Sequence, residues 1–246
     1  LVGAYAGAAA NIFAITAAFT ALSRAARAEQ TLQGIRTLAA GIGESGDEIL
    51  ANLNKITKGQ LTFVEAAQNA NLALSSGFSG DQINRLTDVS LRASRALGRD
   101  LNDSFSRLVR GAAKLEPELL DELGIFARIE PAAQAYAIAN GKVASSLSRF
   151  EKQQAFVNAV ITEGERKFRN INVTIPTAAE RIERLGATIQ NLLVDIGVFL
   201  SQSLAPLADF ISNNIGAALS TLGVLASTVA ARGIQVLAGA LGNVSE

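Results

Sequence analysis

Four acidic side chains crowd one short segment of the sequence. Glu116, Glu118, Asp121 and Glu122 lie beside Pro117 or closely follow it. Paired carboxylates can serve as acid and base in glycoside hydrolysis, and clustered ones can bind a hard cation such as Ca²⁺. Acidic residues are also typical of the first turn of a helix, where the helix dipole favours them, and proline is well suited to open one. Because the sequence announces no cleft on which a catalytic pair could converge, we interpret this cluster as structural.

The composition removes most other catalytic chemistry. The 246 residues include no Cys, His, Met or Trp. The chain therefore has no thiolate nucleophile, no imidazole base, no disulfide framework and no ordinary zinc or haem site. No glycine-rich phosphate loop is visible either. We expect neither an enzyme nor a site for a cofactor or a metal, and we predict no catalytic residue.

A second charged segment is basic and invites a nucleic-acid interpretation. Residues 85–114 carry seven Arg or Lys side chains against three Asp. Asp81 and Asp88 precede Arg85 and Arg92 by four residues, which is the spacing of ion pairs on a helix. The whole chain has a formal net charge of zero, whereas binding to a phosphate backbone needs a cationic excess. We favour a salt-bridged face or a subunit contact over DNA binding.

The elements that must position these residues are predicted to be helices throughout. The chain is rich in Ala and has only four Pro, so we expect an all-α fold. Residues 1–58 are predicted to form an apolar Ala/Gly-rich helix, then a hinge and short helices. Residues 59–170 are predicted to form a compact helical module. Residues 171–246 are predicted to form an extended connector followed by long apolar helices.

Local signals place several helix ends. Capping boxes, in which a Ser or Thr stands three residues before a Glu, are predicted at Thr62, Ser148 and Thr177. The glycine-rich segment 41–46 is predicted to separate two short helices within residues 29–58. The β-branched, proline-terminated segment 171–176 is typical of an extended connector, and we take it as the main domain boundary.

The helix after the connector carries an apolar heptad pattern. Apolar residues recur there at alternating spacings of three and four, which is typical of a coiled-coil seam. We predict that this seam bundles with sister copies of the chain. Its residues, called the seam below, are Ile182, Leu185, Ile189, Leu192, Ile196 and Phe199.

Two uncharged stretches, residues 1–23 and 210–231, approach the length that spans a bilayer. Small residues at four-residue spacing in the first, and Ser, Thr and Asn in the second, favour close helix packing over a fixed span. We therefore prefer a buried oligomer core to a resident membrane helix. The candidate membrane or bundle positions are Leu204, Leu207, Ile211, Ile215, Leu219, Leu222, Leu225 and Val229.

The stretch from Gly59 to Arg169 resembles the tail tape measure proteins of long-tailed, siphovirus-like bacteriophages. The flanking apolar helices look like other segments of the same proteins. The resemblance is carried by GQLTFVEAA (59–67), LALSSGFS (72–79), RALGRDL (95–101), DSFSRLVRG (103–111), KLEPELLDELGI (114–125) and EKQQAFVNAVI (151–161).

The resemblance implies a structural virion protein without an active site. Copies of such a protein lie in the lumen of the tail tube, set tail length during assembly, and leave ahead of the DNA to assist its passage through the host envelope. It implies a homo-oligomer, for which we prefer three copies to six. It also implies contacts with the tail tube and with the tip, distal tail and hub proteins, with the end of the genomic DNA as a candidate neighbour and the host membrane as a conditional one.

We expect the chain to be a tip-proximal portion of a longer protein, because it contains no Met and has too many helix stops in its middle to be a repeating shaft. Any peptidoglycan-cleaving domain would lie outside these residues. The alternative is a pore-forming helical protein of the toxin class, which also hides uncharged helices until it inserts.

Overall fold

The computed structural model describes residues 2–213, with side chains for residue 16, residues 20–199 and residue 201. All regular elements in this range are helical, so the all-α prediction is confirmed. They are α1 (Val2–Gly41), α2 (Gly46–Thr57), α3 (Phe63–Ser75), α4 (Gly80–Leu97), α5 (Leu101–Lys114), α6 (Pro117–Asp121), α7 (Ile129–Ala139), the 3-10 turn Ala144–Ser146, α8 (Arg149–Phe168) and α9 (Ala178–Asn213).

Much of the predicted membrane or bundle segment lies outside this description. Leu204, Leu207 and Ile211 belong to α9, but their side chains are not among those described. Among the helices of residues 2–213, none has both the length and the apolar composition needed to cross a membrane. The predicted positions beyond the described residues are Ile215, Leu219, Leu222, Leu225 and Val229.

The chain divides into two compact units. One is Thr31–Thr188, and the other combines residues 2–30 with residues 189–213. The helices α1 and α9 therefore each contribute to both units. The larger unit, called the module below, extends beyond the predicted range 59–170 at both ends, because α2 packs against α3 and α4 and the start of α9 is also part of it.

The module is built around α4. This helix packs against α2, α5 and α8 and shows one apolar face to the centre of the unit. Burial of such large side chains is the main favourable term in folding. The largest fully buried side chains at the centre of the module include Phe78, Phe105, Phe156, Ile83, Leu86, Leu91 and Leu108.

The predicted capping boxes at Thr62 and Ser148 are confirmed. In each, the hydroxyl accepts a hydrogen bond from the amide three residues on, and the Glu carboxylate accepts one from the cap amide. Thr177 makes the same pair of bonds with Glu180 at the start of α9. A further box, Ser79 with Gln82, opens α4 and was not predicted, although its sequence signal is present.

The prediction that a separate short helix begins near residue 29 is wrong. The helix α1 runs without a break from Val2 to Gly41, and the chain first leaves helical geometry at the predicted glycine-rich segment, where Gly43 has a φ of 78°. The Ala-rich sequence favours helix throughout α1. Between residue 29 and the end of α1 the one interior glycine is Gly34, where an added Cβ would lie 2.9 Å from Asn71 Nδ2. The end of α1 buries Ile35 and Ala39 in the module core.

The predicted connector is neither helical nor paired as a strand. Ile171 and Val173 are partly buried against the module core, whereas Ile175 is 72% exposed. The chain does not leave the module at this point, because Glu180 and Ala187 of α9 are also buried. The connector is therefore a segment on the module surface rather than a boundary between units.

Candidate functional site

The seam predicted on α9 is a continuous apolar stripe on an uninterrupted helix. At about 100° per residue its six members fall within an arc of about 100°. In the first three turns the stripe lies on roughly the opposite side of α9 from the buried residues Glu180 and Ala187. Ile182 and Leu185 thus lie on a different face of α9 from its buried residues Glu180 and Ala187.

The exposure of the seam residues fits this placement. Ile182 is 71% exposed and Phe199 is 49% exposed, and the four residues between them are half-buried. In contrast, Ile83 of α4, the same residue type on an amphipathic helix, is fully buried. The structure brings the predicted seam residues together on one face, and none of them is buried.

The smaller unit joins α1 and α9 through small residues. Ala21, Ala25 and Ala28 of α1 are buried, and so is Gly197 of α9. A Cβ added at Gly197 would lie 2.3 Å from the carbonyl oxygen of Ala21. The two backbones meet so closely that only glycine fits.

Two residues of the acidic cluster, Asp121 and Glu122, form ion pairs with arginines. Asp121 binds Arg128 at 2.8 Å, and Glu122 binds Arg107 at 2.7 Å and Arg99 at 3.5 Å. The hydrogen bond with Asp121 raises the pKa of Arg128. Pro117 opens α6, as predicted. These pairs support the structural interpretation of the cluster.

The basic segment forms the predicted salt-bridged face. Arg92 binds Asp88 at 2.7 Å within α4, and Arg85 lies 3.9 Å from Asp81. Arg85 binds more closely to Glu165 of α8, at 2.7 Å, and this hydrogen bond is the main cause of its raised pKa. The arginines therefore join helices of the module to one another.

A polar cleft of about 610 Å³ lies between α2 and the start of α4, lined by Glu44, Glu48, Asp81 and Asn84 among others. The carboxylate of Glu44 accepts a hydrogen bond from the Gly80 amide, at 2.9 Å, and so completes the first turn of α4. In the part of the chain that the structure describes, no three acidic side chains converge so as to hold a metal ion.

One contact of the module has no counterpart in the sequence prediction. Arg95 of α4 forms a two-pronged ion pair with Glu180 of α9, and the Nε to Oε1 distance is 2.7 Å. Their side chains are only 14% and 10% exposed. The capping role of Glu180 was predicted, but its partner stands 85 residues away, and no local spacing signals such a contact.

Comparison with known proteins identifies no family for the chain. No protein-family model matches it, and no solved structure matches it to a significant degree. The features that carry a functional argument are therefore those of the chain itself, above all the seam.

Proposed function

We propose that the chain is a structural protein of a phage tail, a tape measure that sets tail length and is released ahead of the DNA. The observation that carries this proposal is the seam, an apolar stripe on the long helix α9 whose first and last residues, Ile182 and Phe199, are exposed. Helices with such a stripe associate through it. The seam is the contact between sister copies, for which three copies are preferred to six.

The dimensions of α9 support an axial element. Its 36 residues rise about 1.5 Å each, which gives a helix about 50 Å long. A helix of this kind encodes length by residue count. The sequence words of residues 59–169 supply the second support, because they resemble the corresponding module of tape measure proteins. The partners would be tail tube and tail tip proteins, and the location the tube lumen near the tip.

The test is a cryo-EM reconstruction of the tail tip of the phage particle that carries this chain. We expect helical density matching α9 on the tube axis, in three or six copies. A lumen from which the chain is absent would overturn the proposal. Purified chain added to dye-loaded phosphatidylcholine/phosphatidylglycerol vesicles provides the complementary measurement, because dye release together with an empty lumen would favour a pore-forming protein.

A further inference from the structure

The connector before α9 is held to the module through its backbone as well as through the partly buried side chains of Ile171 and Val173. Four successive carbonyl oxygens, those of residues 171–174, each accept a hydrogen bond from a cationic side chain. Arg92 donates to Ile171 at 2.9 Å, Arg95 to Asn172, and Lys58 to both Val173 and Thr174. Hydrogen bonds from charged donors are stronger than neutral ones.

These cations come from two elements of the module. Arg92 and Arg95 are one turn apart on α4, and Lys58 is the residue that ends α2 with a left-handed φ of 55°. Asp88 orients Arg92 from the preceding turn at 2.7 Å. The donors thus form a row that follows the connector, and they donate hydrogen bonds to its carbonyl oxygens rather than to its side chains.

Glu180 connects this row of donors to the start of α9. Its carboxylate receives Arg95 and also accepts the Thr177 amide at 2.7 Å, so that it closes the capping box of α9. Burial works to raise the pKa of Glu180, but the hydrogen bonds from Arg95 and Thr177 outweigh burial and the pKa is lowered. The first turn of α9 and its attachment to α4 therefore depend on the same carboxylate.

The fully buried residues of the main hydrophobic core all precede the connector. The buried members of the main core run from Ile35 to Phe168. Beyond Phe168, Ala187 is the only buried apolar residue of the module, while Ile171 and Val173 are partly buried. The connector and the start of α9 thus add mainly partly buried apolar side chains to the module.

We propose that Lys58, Arg92, Arg95 and Glu180 form a releasable clasp, through which the connector and the start of α9 can separate from the module while its core stays closed. The clasp gives the chain a defined point at which the start of α9 can detach from the module. This inference does not depend on the tape measure proposal.

Hydrogen exchange tests the clasp on the intact chain. Glu180→Gln keeps the size of the side chain and removes the charge that binds Arg95. We expect the amides of residues 177, 180 and 181 to exchange about ten-fold faster or more, while amides of α4, α5 and α8 change by less than about two-fold. Glu183→Gln, three residues further along α9, is the matched control and should not accelerate exchange at these amides.

Wild-type protein gives a second measurement that requires no variant. In low concentrations of urea, the amides of residues 177, 180 and 181 should open with a small denaturant dependence, and those of α4 and α8 with the full dependence of global unfolding. Equal opening behaviour across the module would overturn the clasp. So would equal acceleration throughout the module in Glu180→Gln, or no acceleration at all.

Discussion

The module and the long helices use apolar residues in different ways. In the module, short capped helices enclose large side chains such as Phe78, Phe105 and Phe156, which are fully buried. In the smaller unit, α1 and α9 meet through alanine and a single glycine, and the seam residues of α9 lie on another face. The module therefore has large side chains at its centre, whereas the buried contacts between α1 and α9 in the smaller unit use small residues.

The two regions also differ in how they use charge. Some arginines of α4 and α5 bind carboxylates outside their own helix, as in the pairs Arg85–Glu165 and Arg107–Glu122. Such exposed pairs contribute little individually, so they orient helices more than they stabilise them. The seam carries no charged residue, which suits a surface that becomes buried on assembly.

The same substitution on α4 and on the exposed face of α9 provides the strongest test of how the two helices use their apolar residues. Ile83→Ala removes a fully buried side chain of α4 and should lower the free energy of unfolding by about 2–5 kcal/mol. Ile182→Ala, at a 71% exposed site of α9, should change it by less than about 0.5 kcal/mol at low protein concentration. Urea denaturation of both variants measures the two effects, and equal losses would show that the seam is already buried.

A charge placed in the seam should weaken association of the chain. Ile189→Asp leaves a carboxylate unpaired in an apolar interface, at a cost of about 2 kcal/mol or more. We expect light scattering to show a lower oligomer mass for this variant. Gln190→Asp adds the same charge at an exposed position on another face and is the control. An unchanged mass for Ile189→Asp would remove the seam as the contact between copies.

Local signals in the sequence were sufficient for most of the module. Capping boxes and ion pairs at four-residue spacing depend on residues within one helical turn, and both kinds of prediction are confirmed at Thr62, Ser148 and Arg92. The continuity of α1 was missed because the apolar pattern weakens at its centre while helix propensity does not. Association of sister copies through the seam remains a prediction, because the structure contains a single copy of the chain.

Long-range contacts could not be predicted from spacing. Arg95 and Glu180 are 85 residues apart, and the same residue types form ordinary surface pairs elsewhere in the module. Only the packing of α9 against α4 makes this pair a buried one. The same holds for Gly197, whose close approach to Ala21 follows from how two distant helices meet.

Substitution of two glycines of α9 distinguishes the effect of close packing on stability from the effect of helix propensity. Gly197→Ala would bring a methyl group against the carbonyl oxygen of Ala21, so we expect a loss of about 1–2 kcal/mol. Gly186→Ala, where nothing lies within 4 Å, should instead stabilise the helix by about 0.5–1 kcal/mol. Thermal unfolding followed by circular dichroism distinguishes the two. Stabilisation by both substitutions would contradict the close contact of α1 with α9.

The smallest effect concerns two neighbouring carboxyl groups at the start of α9. Burial, together with the charges of Asp100 and Glu180, raises the pKa of Glu183, whereas the pKa of Glu180 is lowered. A raised pKa means that the charged form of Glu183 destabilises the fold, so Glu183→Gln should stabilise the module by less than about 1 kcal/mol at pH 7. This gain should vanish as the pH falls through the pKa of Glu183, because the wild-type side chain then becomes neutral as well.

Glu180→Gln should show the opposite sign in the same experiment. Its lowered pKa stabilises the fold above the ordinary pKa of a glutamate, and that stabilisation is lost as the pH falls. Urea denaturation at pH 7 and pH 3 measures the change in the free energy of unfolding that each variant causes at each pH. If Glu183→Gln were destabilising at pH 7, the carboxylate of Glu183 would have a favourable partner, and the clasp would hold α9 by two charges rather than one.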